Sequence, residues 1–135
     1  MDAYLFDTTI LSIYLDSKHP RHKETRRSIG ALHMAHHYIS TVALAELKFG
    51  VELSIAFDKG DLQTLNNIIN QARSYAVLDL SHHTAMAYAE LKAKLAAKYL
   101  KKPFSKPKYL EEWVDKVSGQ KLGVDENDLW MCAQA

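Results

Sequence analysis

Three acidic residues in this sequence stand at positions where an acid is costly unless something answers its charge: Asp7, Glu46 and Asp128. Asp7 closes the apolar run Ala3-Tyr4-Leu5-Phe6 and is followed by Thr8 and Thr9 before a new apolar pattern starts at Ile10. It either faces a ligand site beyond a strand end or simply caps the helix that follows. Glu46 shares a helical stripe with Val42, Phe49 and Leu53. A buried carboxylate there needs a partner, whether Lys48, His37, a backbone donor or a cation. Asp128 falls in the first turn of an apolar helix, where it complements the helix dipole. Asp125 can cap that helix and leave Asp128 free for a site. If the three acids converge, their mutual repulsion is tolerable only around a hard divalent cation, Mg2+ or Mn2+. Such a cation polarises a phosphate and lowers the pKa of a water, the chemistry of metal-dependent phosphodiester hydrolysis.

The elements that would position these acids follow from the pattern of apolar residues. The run through Phe6 reads as a buried strand at the start of an α/β sheet. Helices are expected from Thr9 to about Leu15 and from His22 to Met34. A second strand is expected over His37–Ser40, with Ser40 or Thr41 capping a largely buried helix from Val42 to Ile55. A helix over Asp58–Ser74, with Leu62, Leu65, Ile68 and Ile69 on one face, leads to a third strand over Tyr75–Leu80. Ser81 caps a long helix to about Leu100 whose stripe is Tyr88, Leu91, Leu95 and Tyr99. Pro103 and Pro107 then break the helical pattern. A small amphipathic piece follows from Tyr109 to Val117, and a last helix runs from Asp125 to Ala135. Strands alternating with helix pairs imply a parallel sheet with helical crossovers and helices on both faces.

Composition narrows the class. The chain has 135 residues, 47% hydrophobic and 24% charged, with a net charge of +1. That fits a single α/β domain over residues 1–135 with a real core, and gives no global positive field toward nucleic acid. One cysteine, Cys132, excludes an intrachain disulfide and suits a reducing compartment. No apolar run approaches a membrane span, and Asp2 and Asp7 interrupt any leader-like order, so a cytoplasmic protein is expected.

The sequence resembles the PIN-domain ribonucleases that serve as VapC-type toxins in toxin–antitoxin pairs. Tyr4-Leu5-Phe6-Asp7-Thr8-Thr9-Ile10-Leu11 is similar to the family's opening strand and first acid. The stretch Ser40 to Val51, with Ala45-Glu46-Leu47 at its centre, is similar to the helix bearing the second. Gly123 to Ala135, above all Asn127-Asp128-Leu129, is similar to the helix that begins with a further acid. Ala89-Glu90-Leu91-Lys92-Ala93-Lys94-Leu95 matches in pattern between them. The resemblance implies a three-layer α/β/α fold, Mg2+ or Mn2+ held by Asp7, Glu46 and Asp128, RNA cleavage, an antitoxin partner and a homodimer. Two departures stand out. Family members continue past the last helix into a strand, near which lies a further acidic or amide residue of the site, whereas this sequence ends at Ala135. The join over residues 101–122 is also about twenty residues long, where the toxins have a brief turn. The first departure opens an alternative: a truncated, non-catalytic remnant that binds an antitoxin or other protein without cleaving.

The remaining candidates have plainer readings. Glu90 lies off its helix stripe and should be solvated, and Asp125 reads as a cap. His33, His36 and His37 have the spacing of a zinc site but straddle a helix end. His82 and His83 open a helix and read as surface residues. Lys101, Lys102, Lys106 and Lys108, interleaved with Phe104, Tyr109 and Trp113, suit either RNA contact or a loop with its own small core. A phosphatase with a strand-end Asp nucleophile would need a second Asp where Thr9 stands.

Overall fold

The structure is a computed structural model describing residues 1–32, 34–102 and 109–135. It resolves into two compact units, Met1–Asp79 and Leu80–Ala135, each taken by itself below.

The first unit is an α/β arrangement in which capping residues convert strands directly into helices. Strand β1 (Ala3–Phe6) ends at Asp7, whose carboxylate accepts the Ile10 N–H at 2.7 Å and starts α1 (Thr8–Leu15). After α2 (His22–Gly30), strand β2 (His36–Ser40) ends at Ser40, whose hydroxyl accepts the Val42 N–H at 3.0 Å and starts α3 (Thr41–Ala56). Helix α4 (Leu62–Ala72) leads to β3 (Ala76–Leu78). The three strands are parallel in the order β1-β2-β3, with Phe6 opposite Ile39 and Ser40 opposite Leu78. Parallel pairing of consecutive strands demands crossovers, which the helix pairs supply. The sheet flanked by helices is the expected fold class. Its core holds Phe6, Leu11, Ile13, Ile39, Ala43 and Val51.

Several boundaries and one face differ from the sequence-based expectation. Helix α2 stops at Gly30, and Met34 beyond it takes a φ of 62°. Helix α4 starts at Leu62 rather than Asp58, because Asp58 and Gly60 adopt φ values of 49° and 81°. Left-handed backbone there breaks helical continuity, and a side chain at position 60 would be strained. Helix α3 is not largely buried. Only Ala43 and Val51 are buried along it, while Phe49 is 63%, Leu53 40% and Phe57 66% exposed. Val51, 2% exposed, lies between Phe49 and Leu53 along the helix, so α3 buries one face at that level and turns the face bearing Phe49 and Leu53 outward.

Asp61 caps α4 and carries the unit's clearest acid sensitivity. Its carboxylate accepts the Thr64 hydroxyl at 2.5 Å, the Thr64 N–H at 3.3 Å and Lys18 Nζ at 3.1 Å. The Thr64 hydroxyl, then the Thr64 N–H, then Lys18 hold its pKa down at about 2, against an ordinary 3.8. A depressed carboxylate stabilises the fold above its unfolded pKa, and that contribution is lost as pH falls through the folded value. The Asp61→Asn variant should therefore unfold with a flatter pH dependence between about pH 4 and pH 2 than the wild type, in urea melts at successive pH values.

The second unit packs α5 (His82–Tyr99) with α6 (Glu126–Gln134). Ser81 caps α5 in a capping box with Thr84, as the sequence suggests. The intervening chain contributes a short 3-10 turn (Leu110–Glu112) and an antiparallel bridge between Val114 and Lys121. Leu110 and Trp113 are buried with Ala96, Leu100 and Leu129, and Tyr88, Leu91, Leu95, Leu122 and Val124 pack around them. Trp113 is 1% exposed. It is therefore core, not a surface ring for base stacking. Lys101, Lys102 and Tyr109 are exposed, while Phe104, Lys106 and Lys108 lie outside the described residues. No helix among the described residues is long and apolar enough to cross a membrane.

Candidate functional site

Asp7 stands at the carboxyl end of β1, the edge where open α/β sheets hold their ligands, and Glu46 lies in α3, the helix that follows β2. The link is Thr8. As the first residue of α1 it stands beside Asp7, and its hydroxyl donates to Glu46 Oε1 at 2.9 Å. Glu46 is half-buried on α3. Its partner is therefore neither Lys48, which pairs with Glu52 at 2.6 Å, nor His37, whose Nε2 is buried without a partner and whose ring stacks on Phe6 at 5.3 Å. Asp7 is exposed, and the helix cap occupies Oδ1. The amino end of α1 favours its negative charge. Among the described residues, neither acid is in an ion pair with a basic side chain.

Thr8→Val keeps the β-branched shape while removing the donor to Glu46. It should cost about 1 kcal/mol, the net worth of a half-buried hydrogen bond. Urea unfolding reads this directly, and an unchanged midpoint would mean the 2.9 Å contact carries no weight.

Asp128, in the second unit, is placed differently from the sequence-based expectation. Asp125 does cap α6, but Asp128 is not left free by it. The Asp128 N–H donates to Asp125 Oδ1 at 2.8 Å, and the Asp125 N–H donates back to Asp128 Oδ2 at 3.3 Å. The two form a reciprocal capping box, which satisfies two orphan donors at once. Asp128 remains exposed, with one carboxylate oxygen engaged by the box.

Next to this cap lies a polar cluster that sequence reasoning missed. Lys92 Nζ donates to Glu126 Oε1 at 2.6 Å and to the Tyr88 hydroxyl at 2.8 Å, and Tyr88 also donates to Glu126. The Tyr88 and Trp130 rings stack with centroids 3.9 Å apart at 12°. Burial, then the bond to Glu126, pushes the Tyr88 hydroxyl above its ordinary pKa. Burial works against the charge on Lys92, but its bonds to Glu126 and Tyr88 outweigh that and raise its pKa. The signal was present in the sequence as two i, i+4 pairs, Tyr88 with Lys92 and Glu126 with Trp130.

The zinc spacing of the histidines does not survive the fold. His36 and His37 are neighbours on β2, and alternate residues of a strand point to opposite faces; His33 lies outside the described residues. Within either unit, among the described residues, no three His, Cys, Asp or Glu side chains stand together as a ready metal site. Two carboxylates nonetheless suit Mg2+, which keeps several waters and takes one or two carboxylates from the protein.

No protein-family model matches the sequence, and no curated protein matches it in sequence. The chain is similar in structure to VapBC2 from Rickettsia felis, solved bound to a DNA fragment from their promoter. The TM-score is 0.63 at 18% identity, covering 98% of this chain and 80% of that one. At that identity the likeness shows the fold.

Proposed function

We propose that this chain is a metal-dependent endoribonuclease of the VapC kind, the toxin of a VapBC-type toxin–antitoxin pair, with Asp7, Glu46 and Asp128 serving Mg2+ or Mn2+. The observation that carries the reading is the Asp7-Thr8-Glu46 arrangement. Asp7 at the end of β1 and Glu46 on α3 have no basic partner among the described residues, and Thr8, next to Asp7 in the chain, donates its hydroxyl to Glu46 at 2.9 Å. A half-buried carboxylate such as Glu46 is ordinarily answered by a cation or a donor, and carboxylate oxygens select hard ions. The inclusion of Asp128 rests on the sequence resemblance.

When bound, the metal supplies a Lewis acid for a phosphodiester oxygen and a lowered pKa for an attacking water. The chain's own residues do the rest. Asp7 and Glu46 offer carboxylate oxygens, and Thr8 fixes the rotamer of Glu46 by donating to one of its oxygens. The cap at Asp7 Oδ1 holds that side chain against the start of α1 and leaves Oδ2 to the site.

The test is cleavage of a mixed RNA pool by purified protein in Mn2+ or Mg2+, with EDTA as control. Metal-dependent cleavage is expected, and its absence from folded protein would overturn the nuclease reading. A second reading is favoured by the exposed apolar residues Phe49 and Leu53, one turn apart on α3, with Phe57 just past its end. On this reading the chain binds an antitoxin or another protein through its apolar surface and does not cleave. The same residues also suit the expected homodimer. The expected setting of either activity is the cytoplasm.

A further inference from the structure

The chain's net charge of +1 conceals an uneven distribution. Between positions 94 and 121 the sequence carries eight lysines against three acids, Glu111, Glu112 and Asp115. The rest of the chain therefore holds nine basic side chains against 13 acids. Much of the local excess is at the surface of the second unit. Lys94 and Lys98 stand one turn apart on α5, Lys101 and Lys102 follow just past its end, and all four are exposed. Lys116, also exposed, is brought beside them by its backbone N–H, which donates to the Tyr99 carbonyl at 2.7 Å. Lys101 and Lys116 line one cavity of about 460 Å3, with Leu100, Glu112 and Asp115 among its other walls. The helix dipole accounts for a lysine in the last turn of α5, such as Lys98. It does not account for Lys94, more than a turn earlier, or for Lys116.

Acids do not answer this charge. Among the described residues, none of the five lysines forms an ion pair with a carboxylate. Two of the three nearby acids have backbone partners instead. Asp115 accepts the Val117 N–H at 3.1 Å and the Ser118 N–H at 3.3 Å, and Glu111 accepts the Glu126 N–H at 3.2 Å. The chemistry of the lysines favours phosphate over carboxylate. Arginine's planar fork matches a carboxylate, whereas lysine meets phosphate as a compact point charge, and residues 80–135 contain no arginine. Ala93 and Ala97, exposed on the same helix, are too small to form a pocket for a peptide side chain. From Lys94 to Lys101 the chain rises about 10 Å, enough to follow several phosphates of a flexible strand. The half-buried Tyr99 ring, 5.0 Å from Lys98 Nζ, adds an aromatic surface to the patch, and lysines with aromatic rings are how proteins hold single strands. We propose that Lys94, Lys98, Lys101, Lys102 and Lys116 form a docking face for the phosphodiester backbone of single-stranded RNA. RNA as the ligand rests on the nuclease reading; the basic face does not, and it needs no metal.

The experiment is binding of a fluorescently labelled, mixed-sequence single-stranded RNA to the full chain, read by anisotropy in EDTA so that no cleavage occurs. Five phosphate contacts predict that raising salt from about 50 to 200 mM weakens wild-type binding roughly 100-fold. The triple variant Lys94→Gln, Lys98→Gln, Lys101→Gln should bind at least about 10-fold more weakly at low salt, and the same rise in salt should cost it only about 10-fold. Lys116→Gln, which keeps its backbone bond to Tyr99, should shift both quantities in the same direction by less. Lys23→Gln removes one exposed charge from α2 in the first unit and should bind RNA like the wild type. All the substituted side chains are exposed, so the variants should melt with the wild type. Wild-type affinity and salt dependence in the triple variant would overturn the inference. So would tighter binding of single-stranded DNA of the same sequence, or displacement of the RNA by poly-glutamate of equal charge as readily as by unlabelled RNA, which would mark a face for acidic protein. Cleavage in Mn2+ separates this inference from the nuclease reading. RNA binding that depends on the lysines, with no cleavage in Mn2+, removes the nuclease and keeps the docking face. Metal-dependent cleavage with binding indifferent to the lysines removes the docking face alone.

Discussion

Asp7→Asn is expected to lower metal-dependent RNA cleavage by at least about 100-fold while leaving the stability of the protein within about 0.5 kcal/mol. The two halves of that expectation come from the two oxygens of one side chain. Oδ1 accepts the Ile10 N–H at 2.7 Å and caps α1. Asparagine caps helices as well as aspartate does, so the amide oxygen can take over this bond. The charge is what asparagine cannot supply. A hard cation held by few carboxylates loses much of its electrostatic hold when one becomes neutral, and a loss of about 3–4 kcal/mol in transition-state stabilisation corresponds to roughly 100- to 1000-fold in rate. Asp7→Ala serves as the control, since it loses the cap as well and should cost a further ~1 kcal/mol in stability. Single-turnover cleavage at saturating Mn2+, paired with urea melts, separates the two effects. Wild-type cleavage by Asp7→Asn would remove Asp7 from the site.

Where local chemistry decided the structure, the sequence was readable. Asp7, Ser40, Ser81 and Asp125 each carry a short side-chain acceptor just before an apolar helix, and each caps the helix that follows. Parallel strand order follows from the helix pairs between the strands, and the sheet has it. Tertiary context was harder to read. The stripe Val42, Glu46, Phe49 and Leu53 looks like a core face by periodicity. Whether such a stripe is buried depends on what lies opposite, and α3 turns Val51 inward while Phe49 and Leu53 on either side of it face outward. The partner of Glu46 was hidden for a related reason. Thr8 and Glu46 are 38 positions apart, and only the pairing of β1 with β2 brings their helices side by side. Asp128 shows the reverse failure, in which a local motif was underread. An Asp three residues after an Asp cap completes a capping box, and the geometry uses it as one.

The segment after α5 was the most ambiguous in sequence, since lysines mixed with aromatics fit an RNA-binding loop and a small core equally well. Burial separates the two, and the largest expected loss of stability follows from it. Trp113 is 1% exposed and sits among Ala96, Leu100, Leu110 and Leu129. Trp113→Ala should destabilise the protein by about 3–5 kcal/mol, the usual cost of truncating a fully buried aromatic residue. That is a large part of the 5–15 kcal/mol that typically separates folded from unfolded chains. The unit has few other large buried side chains to absorb the cavity, so α5 and α6 should lose amide-exchange protection together. Val117→Ala, close by in sequence but at a residue 86% exposed, should change stability by less than about 0.5 kcal/mol. An RNA-contact role for the Trp113 ring makes the opposite forecast: stability unchanged in Trp113→Ala and RNA affinity reduced. Urea unfolding of the two variants, with Trp130 as the remaining fluorophore in Trp113→Ala, discriminates between them. A midpoint for Trp113→Ala equal to the wild type would show that the buried ring does not hold α5, the 3-10 turn and α6 together.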